Sequence, residues 1–167
     1  MSPPGAVRIL GIDPGSQVTG WGLIELRGTD LACVAYGVLD LSADRPLHER
    51  LVALADGLAE LFERLDPDEV SVEDLYVHRN VRAALTLGHA RGVILLAAAR
   101  RGLDPAEYPA NTVKQAVLGQ GGRSATKERV AFMVRAILGL AETPEPADIT
   151  DALACAICHA HKRDLPT

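Results

Sequence analysis

Four carboxylates in this 167-residue chain sit where an element of structure starts or stops. Asp13 closes the alternating run Val7-Arg8-Ile9-Leu10-Gly11-Ile12, just before a Pro14-Gly15 turn. Glu73 closes a second run, Glu69-Val70-Ser71-Val72. Asp148 and Asp151 lie three apart at the start of an alanine-rich helical run, so they share a helix face. Acids converging from separate elements can hold hard divalent cations, which prefer oxygen ligands. Two such ions, about 3.5–4 Å apart, would serve phosphodiester hydrolysis by contacting the attacking and leaving oxygens. Each acid also has a purely structural reading. Aspartate favours turns, as at Asp13, and Glu73 suits an exposed strand end. Asp148 suits a helix N-cap with Asp151 as the N3 acid of a capping box, and the helix dipole favours both. Only their joint convergence selects the metal reading, and spacing alone does not establish it.

The elements that must position these acids follow from periodicity. Val7–Asp13 alternates and reads as a strand. Gly20–Leu26 and Leu31–Leu41 read as two more, joined by a hairpin at Gly28-Thr29-Asp30. Pro46 opens a helix to about Leu65, ended by Asp66-Pro67-Asp68, and Glu69–Glu73 is a short strand. Asn80–Arg101 is helical, with Gly92–Ala99 apolar nearly all round, so this helix is either deeply buried or paired with another copy. A short strand at Ala106–Tyr108 precedes helices at Asn111–Leu118, Thr126–Leu138 and about Asp148–His161. Three consecutive strands followed by alternating helices and strands predict an α/β fold. Its five-stranded mixed sheet is antiparallel over the first three strands and parallel thereafter, with helices on both faces.

With 48% hydrophobic and 23% charged residues, the chain can bury a core, and its length fits one domain over 1–167 with an ordered core from about 7 to 162. No run approaches the roughly 20 uninterrupted apolar residues of a membrane span. Met1–Gly5 lacks the basic then apolar pattern of an export signal, so a cytoplasmic location is expected. Cys155 and Cys158 precede His159 in a C-x-x-C-H spacing, but in a helical run the thiols read as buried, with zinc binding alongside His159 or His161 a lesser alternative. His89 reads as structural, and His159 and His161 as surface or interface residues. The net charge of −5 is unevenly spread: residues 1–73 carry −8, residues 74–135 carry +6 and residues 136–167 carry −3. The basic middle segment could meet phosphate, since attraction follows the local field.

Several ordered blocks together resemble the RuvC family of Holliday-junction resolvases, within the RNase H-like superfamily. They are GIDPGSQVTGWG at 11–22, SVEDLYVHRN at 71–80, ALTLGHARGVILLAA at 84–98, NTVKQAVLG at 111–119 and ADITDALACAICHAH at 147–161. The resemblance implies an RNase H-like fold and symmetric paired nicking of four-way DNA junctions, leaving 5′-phosphate and 3′-hydroxyl ends. It implies Asp13, Glu73, Asp148 and Asp151 as catalytic acids holding Mg2+ or Mn2+, two ions to a site. It implies a homodimer and a possible RuvA–RuvB branch-migration partner. Tyr76 matches a position where the family carries an aromatic, which could stack on an unpaired base; a half-buried loop tyrosine is the alternative. Lys114 and Lys127 match basic positions near the scissile DNA. Arg79, Arg82, Arg123 and Arg129 are further phosphate contacts. Gly119–Ser124 is a glycine-rich segment that could order on DNA; it lacks the phosphate-loop pattern of ATPases. Three rival readings are an actin-like nucleotide-binding ATPase, a non-catalytic junction binder and an RNase H-like nuclease on another nucleic acid.

Overall fold

A computed structural model describes residues 5–74, 80–119 and 126–163. The elements in order are β1 (Ala6–Asp13), β2 (Val18–Arg27), β3 (Asp30–Asp40), α1 (Leu47–Leu65), β4 (Glu69–Asp74), α2 (Val81–Arg100), β5 (Ala106–Pro109), α3 (Ala110–Leu118), α4 (Lys127–Ile137) and α5 (Ala147–Lys162). They form a five-stranded sheet of order β3-β2-β1-β4-β5. β2 pairs antiparallel with β1 and β3, while β4 runs parallel to both β1 and β5. The mixed sheet read from the sequence is therefore present, down to the switch of direction at β4. Arg27 pairs with Asp30, so the hairpin turn is Gly28-Thr29, with Gly28 at φ +60° where a II′ turn needs a positive angle.

Strand alternation divides the core in two. Leu10, Ile12, Leu23, Val70 and Val72 point to one face, where they pack with Leu54, Leu58 and Phe62 of α1 and Ile94 of α2. On the other face Ile9 and Ile24 meet Leu153 and Ile157 of α5, with Val113 of α3 and Val134 of α4 packed alongside. Both faces are thus covered by helices.

On the α5 face a helix packs very closely on bare strand backbone. A Cβ on Gly11 would lie 2.1 Å from the carbonyl oxygen of Ala152, and one on Gly20 would lie 2.0 Å from that of Asp148. A Cβ on Gly22 would lie 2.4 Å from the Leu153 side chain. Gly11 and Gly22 are cross-strand partners, and Asp13 pairs with Gly20. Three glycines on adjacent strands thus make a trough into which the α5 backbone sinks. The helix runs back along β1, from Asp148 beside Gly20 to His159 at the start of β4.

Two expectations for helical residues are narrowed. α2 is not deeply buried: only Ala90, Ile94 and Ala98 are, whereas Val81, Leu85 and Leu96 are 68%, 61% and 52% exposed. α2 is long and apolar enough by length and composition to cross a membrane, but its buried stripe packs in the same core as α1. His89 is on its exposed side. His159 is not a surface residue either. It is buried, with Nε2 2.8 Å from a Glu69 carboxylate oxygen and Nδ1 2.8 Å from the Tyr108 hydroxyl. The tautomer protonated at Nε2 satisfies both: the ring donates to Glu69 and accepts from Tyr108. Burial holds the His159 pKa down against the pull of Glu69. Arg163 also bonds Glu69 and, despite burial, keeps that carboxyl below its usual range. Cys155 and Cys158 are free, buried thiols, as expected. His161 stays exposed.

Filling the trough should separate α5 from the sheet. Gly11→Ala is expected to cost about 2–3 kcal/mol, because its Cβ meets rigid helix backbone and a well-packed interior relaxes poorly. Urea denaturation measures this; a midpoint equal to the parent's would show that α5 is not seated as described.

Candidate active site

Asp13 is the last residue of β1 and shares the α5 face with Gly11. The turn behind it is tightly held. Thr19, fully buried, donates from its hydroxyl to the Gly15 carbonyl at 3.2 Å and accepts from the Gly15 N–H at 3.4 Å. No side chain fits at Gly15, where a Cβ would stand 1.7 Å from the Val18 carbonyl oxygen. Glu73, near the end of the adjacent parallel strand β4, faces the same way. Asp148 lies in the first turn of α5 and Asp151 one turn further on, with both half-buried.

The capping role for Asp148 and Asp151 does not hold. The N-cap of α5 is Pro146, without a side-chain cap bond, so Asp148 and Asp151 sit inside the helix and not at cap and N3. A residue in that first turn that bonds a neighbouring backbone oxygen is Thr150, to the Ala147 carbonyl at 2.7 Å. The helix dipole still favours both acids.

The electrostatics show that the four acids form one group. Asp13 is pushed up to about 8, first by burial, then by the negative charges of Glu73, Asp151 and Asp148, with Lys127 opposing. Glu73 is raised to about 7 by burial and by Asp151, against the pull of Lys114 and Lys127. Asp151 is raised by burial, with Lys127 opposing and Asp148 adding to the rise. Acids from β1, β4 and α5 therefore crowd one partly dry cleft, which is the convergence the sequence could not establish.

Lys114 and Lys127 line a small cavity of about 110 Å³ together with Glu73 and Asp151. Lys127 Nζ is 3.7 Å from an Asp151 oxygen. Arg82 and Arg129 are exposed, at the first turns of α2 and α4. Tyr76, Arg79 and Arg123 fall outside the described residues, as does most of the Gly119–Ser124 segment; Gly119 itself caps α3.

Repelling carboxylates in a low-dielectric cleft suit a hard divalent cation, which would offset the charge that now drives protonation. Among the described residues no three His, Cys, Asp or Glu side chains are gathered tightly enough to hold an ion as they stand. That rules out a preformed zinc cluster at Cys155, Cys158 and His159, whose ring nitrogens are both engaged. The acid cleft is likewise not closed around an ion as it stands, but its donor chemistry, all carboxylate oxygen, fits a hard divalent cation.

A family model described as crossover junction endodeoxyribonuclease RuvC matches residues 9–159. The chain belongs to the RuvC family. It is 50% identical over 155 residues to a crossover junction endodeoxyribonuclease RuvC from Chloroflexus aggregans, covering 93% of each chain. It is 47% identical over 152 residues to one from Desulforamulus reducens, covering 91% of this chain and 92% of the relative. Its fold matches T. thermophilus RuvC in complex with Holliday junction substrate, with a TM-score of 0.86 and 33% identity, covering 96% and 98% of the two chains. RuvC membership makes the chain a crossover junction endodeoxyribonuclease with divalent-metal dependence. The actin-like, non-catalytic and other-nuclease readings are set aside by it.

The trough glycines, which seat α5 beside the acids, carry no chemistry of their own and are not among the residues the sequence singles out. Gly11, Gly20 and Gly22 were legible only as part of a motif block; a glycine recurring at strand positions beside an acid is the signal that could have marked a close helix approach.

Asp13 binds a proton far more tightly when folded (about 8) than at its ordinary value of 3.8. Its cost to folding is absent below pH 4, grows between pH 4 and 8, and is complete above 8. Metal-free protein should therefore lose stability as pH rises from 5 to 8, and Asp13→Asn should remove part of that loss, a gain of about 1 kcal/mol or more at pH 8. Thermal melts in chelator across that range test this, and parallel curves for parent and variant would contradict it.

Proposed function

We propose that this chain resolves four-way DNA junctions with Asp13, Glu73, Asp148 and Asp151 as its catalytic acids. The observation that carries this reading is the gathering of Asp13, Glu73 and Asp151, each raised first by burial and then by a neighbouring acid, in one cleft built from β1, β4 and α5. The four acids would hold Mg2+ or Mn2+, two ions to a site. When bound, such ions supply Lewis-acid activation of the attacking water and neutralise charge on the leaving 3′-oxygen. The chain's own residues do the rest. The glycine trough and the Thr19-held turn bring the carboxylates to one place before substrate arrives, so little reorganisation is left for the reaction itself. Lys114 and Lys127, on the same cleft, attract the scissile phosphate and offset charge developing on it. Arg82 and Arg129 extend the basic surface to neighbouring phosphates, with Arg79 and Arg123 in the same role and Tyr76 stacking on an unpaired base at the crossover. The products are nicks with 5′-phosphate and 3′-hydroxyl ends.

Residues 1–167 act as one nuclease domain in this reading, in the cytoplasm. Two copies pair so that two clefts nick two strands symmetrically. The support is the outer face of α2, where Val81, Leu85, Gly88, Gly92, Leu96 and Ala99 recur at helical spacing and are all exposed. Such an apolar stripe on a monomer marks an interface. A RuvA–RuvB branch-migration complex is the further partner.

Asp13→Asn and Asp148→Asn should each reduce cleavage of a synthetic four-way junction in Mg2+ or Mn2+ by at least about 100-fold while retaining junction binding. Cleavage at the parental rate would remove the acid from the site, and binding lost together with cleavage would remove its assignment to chemistry alone. In sedimentation, Leu96→Glu should weaken self-association by at least about tenfold, since it buries a charge in an apolar interface; an unchanged dimer would move the interface elsewhere.

A further inference from the structure

Asp74 follows Glu73 at the end of β4, and alternation sends it to the opposite side of the sheet, towards α2. There it meets Arg91 of α2, whose guanidinium lies 3.4 Å from an Asp74 oxygen. The same guanidinium pairs with Glu107 of β5. β4 and β5 are parallel neighbours in register, with Val72 opposite Glu107 and Asp74 opposite Pro109. Like charges on adjacent strands repel, and a guanidinium between them turns that repulsion into a clamp. The Arg91 side chain is 25% exposed, and its Nε is buried with no hydrogen-bond partner among the described residues. The group is therefore partly desolvated and held by charge, so removing it would withdraw a cation shared by two carboxylates on adjacent strands. One peptide bond away, Glu73 depends on the same stretch of backbone for its position in the acid cleft. Arg91 also stands on the helix whose far side carries the exposed stripe from Val81 to Ala99.

We propose that Arg91 is a positioning residue for the nuclease reaction: it clamps the end of β4 to α2, holding Glu73 in register with Asp13 and α5. A second part rests on the self-association reading above. With a second copy seated on α2, the clamp transmits the order of that interface to Glu73, so placement of the carboxylate depends on assembly. The clamp needs two pairings from a planar, forked group, which a lysine reproduces only in part.

The test measures single-turnover cleavage of a four-way junction at saturating enzyme, junction affinity and sedimentation for the full chain. Arg91→Ala is expected to bind the junction within about twofold of the parent and to cleave roughly 10-fold or more slowly, with Arg91→Lys in between. A charge-swapped double variant, Arg91→Glu with Glu107→Arg, should recover part of the lost rate. A parental cleavage rate for Arg91→Ala overturns the proposal. So does a double variant no faster than Arg91→Glu alone, because simple packing damage is not rescued by a swapped pair. If Arg91→Ala does not fold, Glu107→Gln replaces it: slower cleavage at unchanged affinity supports the clamp, and an unchanged rate overturns it. A parental chain that sediments as a monomer defeats the assembly reading and the second part with it, while the Arg91→Ala rate still decides the first. A parental chain that leaves the junction uncut defeats the functional reading itself.

Discussion

The seating of α5 against bare backbone at Gly11, Gly20 and Gly22 is the contact on which the site depends. An ordinary helix-on-sheet packing keeps the two layers about 10 Å apart, the thickness of interleaved side chains. Removing three side chains from one patch lets the helix drop into the sheet. The first turn of α5 is then beside the end of β1, and Asp148 and Asp151 reach the cleft that Asp13 and Glu73 face. Any Cβ in the trough lifts the helix, and the four carboxylates then separate. The price of the arrangement is carried by the chain around it: Ile9 and Ile24 on the sheet and Leu153 and Ile157 on the helix bury fully on either side of the gap.

The same approach produces the electrostatic stress. Carboxylates packed together away from water raise one another's pKa, and Asp13, the most buried, is affected most. This stress weighs against stability and favours cation binding, since a divalent ion relieves what burial and proximity impose. Lys114 and Lys127 oppose it only in part, because Lys127 is itself largely exposed, at 75%, and its pairing with Asp151 is solvent-screened. A site of this kind is held together by the fold against its own charge, which explains why the turn after Asp13 is pinned by a buried threonine.

The opposite face of the sheet follows a different logic. There α1 and α2 pack on Leu10, Ile12, Val70 and Val72, and Trp21 lies across Gly37 on the neighbouring strand with Arg64 stacked 5.6 Å from its ring. α2 uses only one narrow stripe for this core, leaving a second apolar stripe uncovered. Consecutive residues at the end of β4 thus serve both faces: Glu73 enters the acid cleft and Asp74 the ion pairs of α2. Alternation along a strand makes two chemically unrelated layers share one piece of backbone.

Much of this was legible beforehand. Alternation and turn residues placed all five strands, the direction switch at β4 and the helices, because a period of two or 3.6 is a local property of the chain. The motif blocks around Asp13, Glu73 and Asp148 singled out, by resemblance, the acids proposed for the site. Other features depended on contacts between residues distant in sequence. His159 read as a surface or interface residue, yet Glu69 and Tyr108, 90 and 51 positions away, hold it within the chain's own interior. α2 read as either deeply buried or paired with another copy, because periodicity reports how apolar a helix is and not which side meets a partner. The alternative reading of Asp148 as a cap rested on residue type alone, while the chain placed Pro146 there. The sequence by itself determined which residues could ligate a cation and which elements carry them. Only the tertiary structure decided that they meet, because the meeting depends on the absence of side chains at three glycines, and on how closely a helix can then lie upon two strands.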